Sequence, residues 1–406
     1  MTCQLTVALR LELHRKNITM RIESIECYPL SIPGHPYCGG HDTRKNAGQY
    51  GSYIESQHYR ALYTMEAQTL LVKITTDDGT VGWGETQAAI VPQIVAQLVD
   101  ELVAPGLIGQ DPHDYAVLRD RCYDRMRDRG HDGGHFCDAL AICDIALYDI
   151  VGKALGKPVH KLLGGAYRQE IPCYVSGVPA VSVAEQADHI RGWQEKGFNR
   201  FKISLGYGVK QDIAHMEGLR QELGDEPVFL IDQHWCYNLN DSIRIGRAFE
   251  SLDIALMECP MDSENVAQYS KLCAALDLPI SLGEEFRTRF RFKERLEADA
   301  LDIAQPDIGR LGITEGMRVI TLCNAAGIPC APHIGSGLAP YAAASLQVAA
   351  ATETLFLLEY QPTQITVADE YFTPSICPRD GSFHLSDLPG LGVEPIMEKI
   401  EAHRMA

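Results

Sequence analysis

Eight short apolar segments recur at regular intervals from residue 171 onward, and they constrain the fold more than any other feature of the sequence. The segments are IPCYVSG (171–177), RFKISLG (200–206), VFLIDQH (228–234), IALMECP (254–260), PISLGEE (279–285), ALDIAQPD (300–307), IPCAPHI (328–334) and TLFLLEY (354–360). Stretches with apolar residues at helical spacing connect them. Strands that alternate with helices form a parallel sheet, and eight such strands close into a barrel. Because no comparable helical pattern follows the last segment, we predict a (β/α)7β modified TIM barrel.

The region before the barrel has the pattern of a separate α+β domain. A strand at IESIECYPLSI and a hairpin with an Asp-Asp-Gly turn precede three predicted helices. We therefore expect a capping domain at 20–155, the barrel at 156–365 and a C-terminal segment at 366–406 that returns to the cap. Residues 1–19 carry charges within their apolar stretch and lack a small-residue cleavage site, so we expect a disordered leader rather than a signal peptide.

Composition excludes several classes of partner. The formal net charge of −18 disfavours nucleic acid and anionic membrane surfaces, and no apolar run approaches the roughly 20 residues that a membrane span needs. The 13 cysteines form no CxxC pair and are odd in number, which favours reduced thiols in a cytoplasmic protein over a disulfide framework.

One ionisable residue lies at or near the C-terminal end of each barrel strand from the second onward. These residues are Lys202, Asp232, Glu258, Glu284, Asp307, His333 and Glu359. The last six follow one another at intervals of 26, 26, 23, 26 and 26 residues. Because barrel active sites lie at the C-terminal face, we expect these side chains to converge on one mouth.

Three of these residues are acids on consecutive strands. Asp232, Glu258 and Glu284 would repel one another in a pocket of low dielectric constant unless a cation neutralised them. Hard oxygen ligands in this number favour Mg²⁺, for which Mn²⁺ can substitute. The sequence therefore predicts a divalent metal site.

Two histidines are candidates for proton transfer. Asp307 and His333 end adjacent strands, and an aspartate bonded to one ring nitrogen fixes the tautomer and leaves the other nitrogen free. His234 lies two residues after Asp232, a spacing that places both side chains on one side of a strand. We therefore expect His234 close to the metal.

The motifs around these residues resemble those of the enolase superfamily, mandelate racemase subgroup. They read Lys202-Ile-Ser204, Asp232-Gln-His234, Met-Glu258-Cys-Pro, Gly-Glu284-Glu, Gln-Pro-Asp307, Pro-His333 and Glu359-Tyr. GWGE at 82–85 and KPVHKLLGG at 157–165 are also typical, so the resemblance extends from about residue 20 to residue 400. It is specific for the superfamily and subgroup, and much less so for the substrate.

The resemblance implies roles for these residues. The three acids on consecutive strands would bind Mg²⁺, Asp307 and His333 would form an acid–base dyad, and Glu359 would contact the substrate carboxylate or its enolate. Many members carry a second lysine on the second strand as a base, where this chain has Ser204. His234 could replace it, as in galactonate dehydratase-like members, with Lys202 as a cation near the substrate or, less favourably, as a base.

These features together predict a Mg²⁺-dependent acid sugar dehydratase, a hydro-lyase that acts on a small molecule and that we expect to be a homo-oligomer. Racemisation or epimerisation, lactone cycloisomerisation, and a non-catalytic barrel that binds metal or carbohydrate are the alternatives. The loop at 33–56 is a candidate lid, in which His41, Arg44 and Tyr50 are candidates for contact with the distal part of the substrate. The choice between aldonates and aldarates stays open.

Overall fold

A computed structural model describes residues 20–33, 53–55, 61–87, 90–179 and 182–405 of the chain. The N-terminal part contains five strands within these ranges. They are β1 (Ile22–Ile32), β2 (Tyr53–Glu55), β3 (Leu62–Thr64), β4 (Ala67–Thr76) and β5 (Val81–Thr86). Strands β1, β4 and β5 form an antiparallel sheet in that order, and β2 pairs with β3.

Helices cover this sheet and complete the α+β cap. They are α1 (Pro92–Leu98), which continues through a π-helical turn (Val99–Val103) into α2 (Ala104–Leu107), then α3 (Tyr115–Arg127) and α4 (Gly134–Leu155). Helix α4 lies so close to β5 that a Cβ atom on Gly84 would stand 1.9 Å from the carbonyl oxygen of Ile142. The two glycines of the GWGE motif are therefore required by this close approach of helix and strand.

The barrel sheet is parallel and follows the predicted order of segments. Its strands are β6 (Glu170–Ser176), β7 (Arg200–Ser204), β8 (Val228–Asp232), β9 (Ile254–Glu258), β10 (Ile280–Leu282), β11 (Ile303–Ala304) and β12 (Leu358–Tyr360). The predicted segment at 328–334 joins its neighbours through single bridges only, from Cys330 to Ala304 and Leu355 and from His333 to Asp307. The predicted class, a modified TIM barrel with an N-terminal α+β cap, is confirmed.

Helices connect these strands as expected. They are α6 (Val183–Gln194), α7 (Val209–Leu223), α8 (Leu239–Glu250), α9 (Val266–Ala275), α10 (Arg289–Glu297), α11 (Ile308–Ala326) and α12 (Ala339–Ala350), and a short helix α5 (Val159–Leu162) precedes β6. The side chains of Ser182, Asn238, Asn265 and Asp307 each accept a hydrogen bond from the backbone N–H three residues further on, which caps the helix that follows.

A helix also follows the last barrel strand, where the sequence analysis expected none. Helix α13 (Pro362–Tyr371) begins with proline at its first position and buries Ile365, Ala368 and Tyr371 at helical spacing. That part of the prediction is wrong, because three apolar positions among polar and β-branched residues gave too weak a pattern.

The C-terminal segment packs against both parts of the molecule. It contains β13 (Phe372–Thr373), β14 (Ser382–His384), β15 (Glu394–Pro395) and α14 (Met397–Ala402). Strand β14 pairs with β6, and the backbone N–H of Ser31 in β1 donates to the carbonyl of His403 over 3.1 Å. The boundaries drawn between the domains stay a prediction.

Two ion pairs join the cap to the barrel, one of them largely buried and the other partly exposed. Arg287 donates to both carboxylate oxygens of Asp138 in α4, at 2.8 and 3.3 Å, and Arg318 in α11 does the same to Asp120 in α3, at 2.7 and 2.8 Å. The cysteines in the described ranges are free thiols, most of them buried. Over the same ranges, no helix is both long and apolar enough to cross a bilayer.

Candidate active site

The ladder between β7, β8 and β9 places three candidate residues side by side at the C-terminal edge of the sheet. Ser204 pairs with Asp232, and Asp232 pairs with Glu258. Ser204 is exposed, whereas Glu258 is fully buried. The predicted convergence on the C-terminal mouth therefore has a direct cause in the strand register.

The carboxylate of Glu258 is held from both sides. Lys202 donates to its Oε1 over 2.8 Å, and Gln305 donates to its Oε2 over 2.6 Å. The same lysine lies 2.9 Å from Oε1 of Glu359. Burial lowers the pKa of Lys202, but these two carboxylates outweigh it and hold the pKa well above its ordinary value. Lys202 is therefore a permanent cation here, which weakens its candidacy as a base.

The acids in the mouth differ in the direction of their pKa shifts. Burial, together with Asp232, Glu359 and Glu284, raises the pKa of Glu258 to about 8 in spite of Lys202, and burial also raises the pKa of Asp232. The pKa of Glu284 falls to about 2, because the nearby charges of His333, His234 and Arg310 outweigh burial. Ionisation of Glu258 and Asp232 therefore costs free energy, and a bound cation would offset that cost.

His333 and Asp307 form the predicted pair. Nδ1 of His333 lies 2.8 Å from Oδ2 of Asp307, and both side chains are buried. With Nδ1–H donated to the aspartate, Nε2 faces the acids, 3.2 Å from Oε2 of Glu284. Burial lowers the pKa of His333, but Glu284, Glu359 and Asp307 outweigh it and raise the pKa to about 9.

His234 lies beside the acids, although the reason given from sequence is wrong. Strand β8 ends at Asp232, and His234 has a left-handed backbone with φ 41°, so the alternation of a strand does not apply to it. Its backbone N–H donates to Oδ1 of Asp232 over 3.0 Å. Its imidazole lowers the pKa of both Asp232 and Glu284, so it lies within electrostatic reach of the two acids.

Glu359 is fixed by donors on two sides. Its Oε2 accepts from the backbone N–H of Ile334 over 3.0 Å, and its Oε1 faces Lys202 and accepts from Gln361 over 3.3 Å. Lys202 and His333 outweigh the effect of burial and lower its pKa, so Glu359 is an anion. His41, Arg44 and Tyr50 lie outside the described residues.

Sequence reasoning missed two further residues of the mouth. Gln305, directly after the end of β11, donates to Glu258, and a neutral amide gives no sign of this role in the sequence. The aromatic ring of Tyr174 lies below Lys202, with its centroid 5.6 Å from Nζ. Tyr174 belongs to an apolar barrel floor with Leu230, Leu256, Ile303, Ala331 and Leu357, and nothing in its own segment distinguishes it from a core residue.

The donor set suits a hard divalent cation. Asp232, Glu258 and Glu284 bring carboxylate oxygens to adjacent strand ends, where burial raises the pKa of the first two and a bound cation would favour their ionised forms. Among the described residues, no three Cys, His, Asp or Glu side chains already surround one point as metal ligands, and Glu284 is turned toward His333.

Comparison with known proteins places this arrangement in a family. Residues 183–399 match the enolase C-terminal domain-like family, and residues 55–164 match the N-terminal domain of mandelate racemase and muconate lactonizing enzyme. The chain belongs to the enolase superfamily, in its mandelate racemase subgroup. The two matches cover most of the barrel and most of the cap.

Several relatives of this superfamily member have names that describe enzymes acting on acid sugars. It is 34% identical over 293 residues to D-galactonate dehydratase of Verminephrobacter eiseniae, covering 70% of this chain and 75% of the relative. It is 29% identical over 348 residues to D-galactarolactone cycloisomerase of Agrobacterium fabrum, covering 83% and 91%. A crystal structure of an enolase-superfamily member from Agrobacterium tumefaciens superposes with a TM-score of 0.88 at 33% identity, covering 95% and 99%. The protein is therefore an enzyme of this superfamily, and its relatives include both dehydratases and an isomerase.

Proposed function

We propose that this superfamily member is a Mg²⁺-dependent acid sugar dehydratase, which converts a sugar acid to a 2-keto-3-deoxy acid. The observation that carries the proposal is the orientation of His333, whose Nδ1 is bonded to Asp307 and whose Nε2 faces the acids of the mouth. A second imidazole, that of His234, lies beside the same acids. Two histidines around one site provide the acid and the base that elimination of water needs.

The residues that would hold Mg²⁺ are Asp232, Glu258 and Glu284. When bound, the metal would supply positive charge against the negative charge that develops on the substrate carboxylate. Lys202 adds a second, permanent positive charge between Glu258 and Glu359, where it can neutralise the substrate carboxylate. Gln305 and Lys202 hold Glu258 in one orientation, which favours a preorganised mouth.

The histidines move the protons. One of them takes the proton from C2, and the electron pair of that C–H bond passes into the C1–C2 bond. The electron pair then forms a second bond between C2 and C3 as the C3–O bond breaks, and the other histidine protonates the departing hydroxyl, which leaves as water. The resulting enol gains a proton at C3 and loses the proton of its C2 hydroxyl, which gives the 2-keto acid. Asp307 transfers no proton and keeps Nε2 of His333 as the reactive nitrogen.

Cycloisomerisation of an acid sugar lactone is the second candidate, favoured by the similarity to the Agrobacterium fabrum enzyme. It begins with the same proton transfer from C2. A two-base racemase is less well supported, because Ser204, at the position of the second lysine, has no cationic or basic side chain.

A substrate screen tests the proposal. Purified protein with Mg²⁺ is incubated with a library of mono- and diacid sugars, and 2-keto acid is measured. We expect product from at least one sugar acid and none after EDTA treatment, with activity restored by Mg²⁺. Formation of product at an equal rate in EDTA would refute the metal dependence.

A further inference from the structure

The buried carboxylate of Glu85, the last residue of the GWGE motif, has no part in the proposed chemistry. It lies in β5 of the cap and is fully buried. Its Oε1 accepts from the backbone N–H of Leu338 over 2.5 Å, and its Oε2 accepts from the backbone N–H of Tyr341 over 3.1 Å. The hydroxyl of Thr69 donates to it as well, over 2.7 Å.

These contacts cap a barrel helix with a side chain from the other part of the molecule. Leu338 is the N-cap residue of α12, and its own side chain makes no capping hydrogen bond. The free N–H groups of a first helical turn bear partial positive charge and need acceptors, which Glu85 supplies. Burial raises the pKa of Glu85 to about 7 in spite of these donors, so ionisation of this carboxyl group costs free energy.

The capped turn is connected directly to His333. The hydroxyl of Tyr341 donates to the carbonyl of His333 over 3.2 Å and accepts from the backbone N–H of Gly335 over 3.0 Å. Tyr341 is thus bonded to Glu85 through its backbone and to the His333 segment through its side chain. One hydrogen-bonded chain runs from the cap to the backbone of the catalytic histidine.

Close packing restricts the conformations that residues 333–341 can adopt. A Cβ atom on Gly335 would lie 2.2 Å from Nε2 of Gln87 in the cap and 2.9 Å from Cε1 of His333. A Cβ atom on Gly337 would lie 2.5 Å from the ring of Tyr341. Residues 333–341, which include the first turn of α12, therefore pack tightly against the end of β5.

We propose that Glu85 is a positioning residue, which holds the 333–341 segment and thereby keeps His333 in its reactive orientation. The inference rests on the proposed function only for the role of His333. It explains why a fully buried acid stands at the edge of the cap: its hydrogen bonds hold the segment that carries the proton-transfer group.

A matched buried carboxylate provides the control. Asp144 in α4 is also fully buried, and it also reaches from the cap to a barrel helix, where it accepts from the N–H and hydroxyl of Thr314 at 2.8 and 2.6 Å. Thr314 lies in α11 and makes no contact with the 333–341 segment through these bonds. Asp144→Asn therefore removes a contact of the same kind without loosening the His333 segment.

The test compares Glu85→Gln, Tyr341→Phe and Asp144→Asn by amide hydrogen exchange and steady-state kinetics. In Glu85→Gln the amide can accept from only one of the two N–H groups, so we expect exchange within 333–341 to accelerate about tenfold. We expect kcat to fall about 10- to 100-fold while KM changes less than about twofold, because a misplaced catalytic group impairs turnover more than binding. Tyr341→Phe should act in the same direction, and Asp144→Asn should lower the melting temperature without either effect.

Two results would overturn the inference: unchanged exchange within 333–341 in Glu85→Gln, or an equal fall of kcat in Asp144→Asn. Failure of the proposed function is separate, because the exchange measurement needs no substrate. A wild-type enzyme that dehydrates no sugar acid would refute dehydration, and the exchange rates would still decide whether Glu85 holds the segment.

Discussion

Glu258 contacts Lys202 and Gln305 and lies near three further acids, so a change at this residue alters the charge balance of the mouth. Glu258→Gln removes one carboxylate from the proposed metal site while the apolar barrel floor stays intact. We expect the affinity for Mg²⁺ to fall at least about tenfold and activity to be lost, with little change in melting temperature. Calorimetric titration with Mg²⁺ measures this, and Glu264→Gln, at an exposed position in the following loop, is the control. Undiminished Mg²⁺ affinity together with retained turnover would remove Glu258 from the ligand set.

Substitutions of His333 and Asp307 should have unequal effects on activity. His333→Asn should eliminate dehydration, whereas Asp307→Asn should leave residual activity, because the aspartate orients the imidazole and transfers no proton. Asp307 helps to raise the pKa of His333 to about 9, so the limb of the pH–rate profile that reports His333 should move to lower pH in Asp307→Asn. A profile identical to wild type across the pH range would show that the pair has no part in catalysis.

The two histidines can be assigned by exchange of the C2 proton in D₂O. If His333 is the base and His234 the acid, His234→Asn should stop dehydration and still exchange the proton, because proton removal precedes loss of the hydroxyl. If His234 is the base, exchange should vanish in His234→Asn and persist in His333→Asn. Near-normal turnover by His234→Asn would contradict a two-histidine mechanism and bring Lys202 back as a candidate base.

For individual residues at the barrel mouth, the sequence predicted their identity better than their conformations. Intervals of 23 and 26 residues predicted that the acids and His333 lie at one mouth, because each barrel unit repeats the same geometry. The left-handed backbone of His234 could not be predicted, because it follows from a strand that ends two residues earlier. Gln305 was missed because a neutral amide carries no signal until the carboxylate that it binds is known.

At the scale of helices and strands, buried acids that join the cap to the barrel make stability depend on pH. Burial raises the pKa of Asp144 in α4 to about 6, above its ordinary 3.8, although Thr314 donates to it twice. At Asp144 the folded protein therefore binds more protons than the unfolded chain between about pH 4 and pH 6, so the contribution of this group to stability falls as the pH rises through this window.

Asp144→Asn removes this dependence. Between pH 4 and pH 7 we expect the wild-type free energy of unfolding to fall by about 1–3 kcal/mol relative to the variant. Urea unfolding at a series of pH values measures the difference, with Asp188→Asn, at a side chain 75% exposed, as the control. Parallel pH dependences for wild type and Asp144→Asn would show that Asp144 titrates normally.

The elements with the weakest sequence patterns were also those predicted least well. The segment at 328–334 closes the barrel through isolated bridges, and only its neighbours in space make it part of the sheet. Helix α13 was missed because its apolar positions are few and proline precedes them. The glycines of GWGE could be recognised as a motif, but their reason, contact with α4, depends on a helix some 60 residues further along the chain.

At the scale of the whole molecule, the enzyme has a net charge of −18 and is proposed to bind an anion. The mouth can attract an anion in spite of this net charge, since Lys202, His333 and His234 lie among its acids and a divalent cation would add further positive charge. The fold alone does not separate dehydration from cycloisomerisation or epimerisation, because all three begin with removal of the same proton.

Product analysis in D₂O distinguishes these reactions. The wild-type enzyme is incubated with Mg²⁺ and the sugar acid found in the screen, and the mixture is followed by ¹H NMR. Dehydration predicts a 2-keto-3-deoxy acid with one deuterium at C3, because C3 gains its proton from solvent after the hydroxyl has left. Recovery of a sugar acid or lactone that carries deuterium at C2 and retains its 3-hydroxyl, with no keto acid formed, would contradict dehydration.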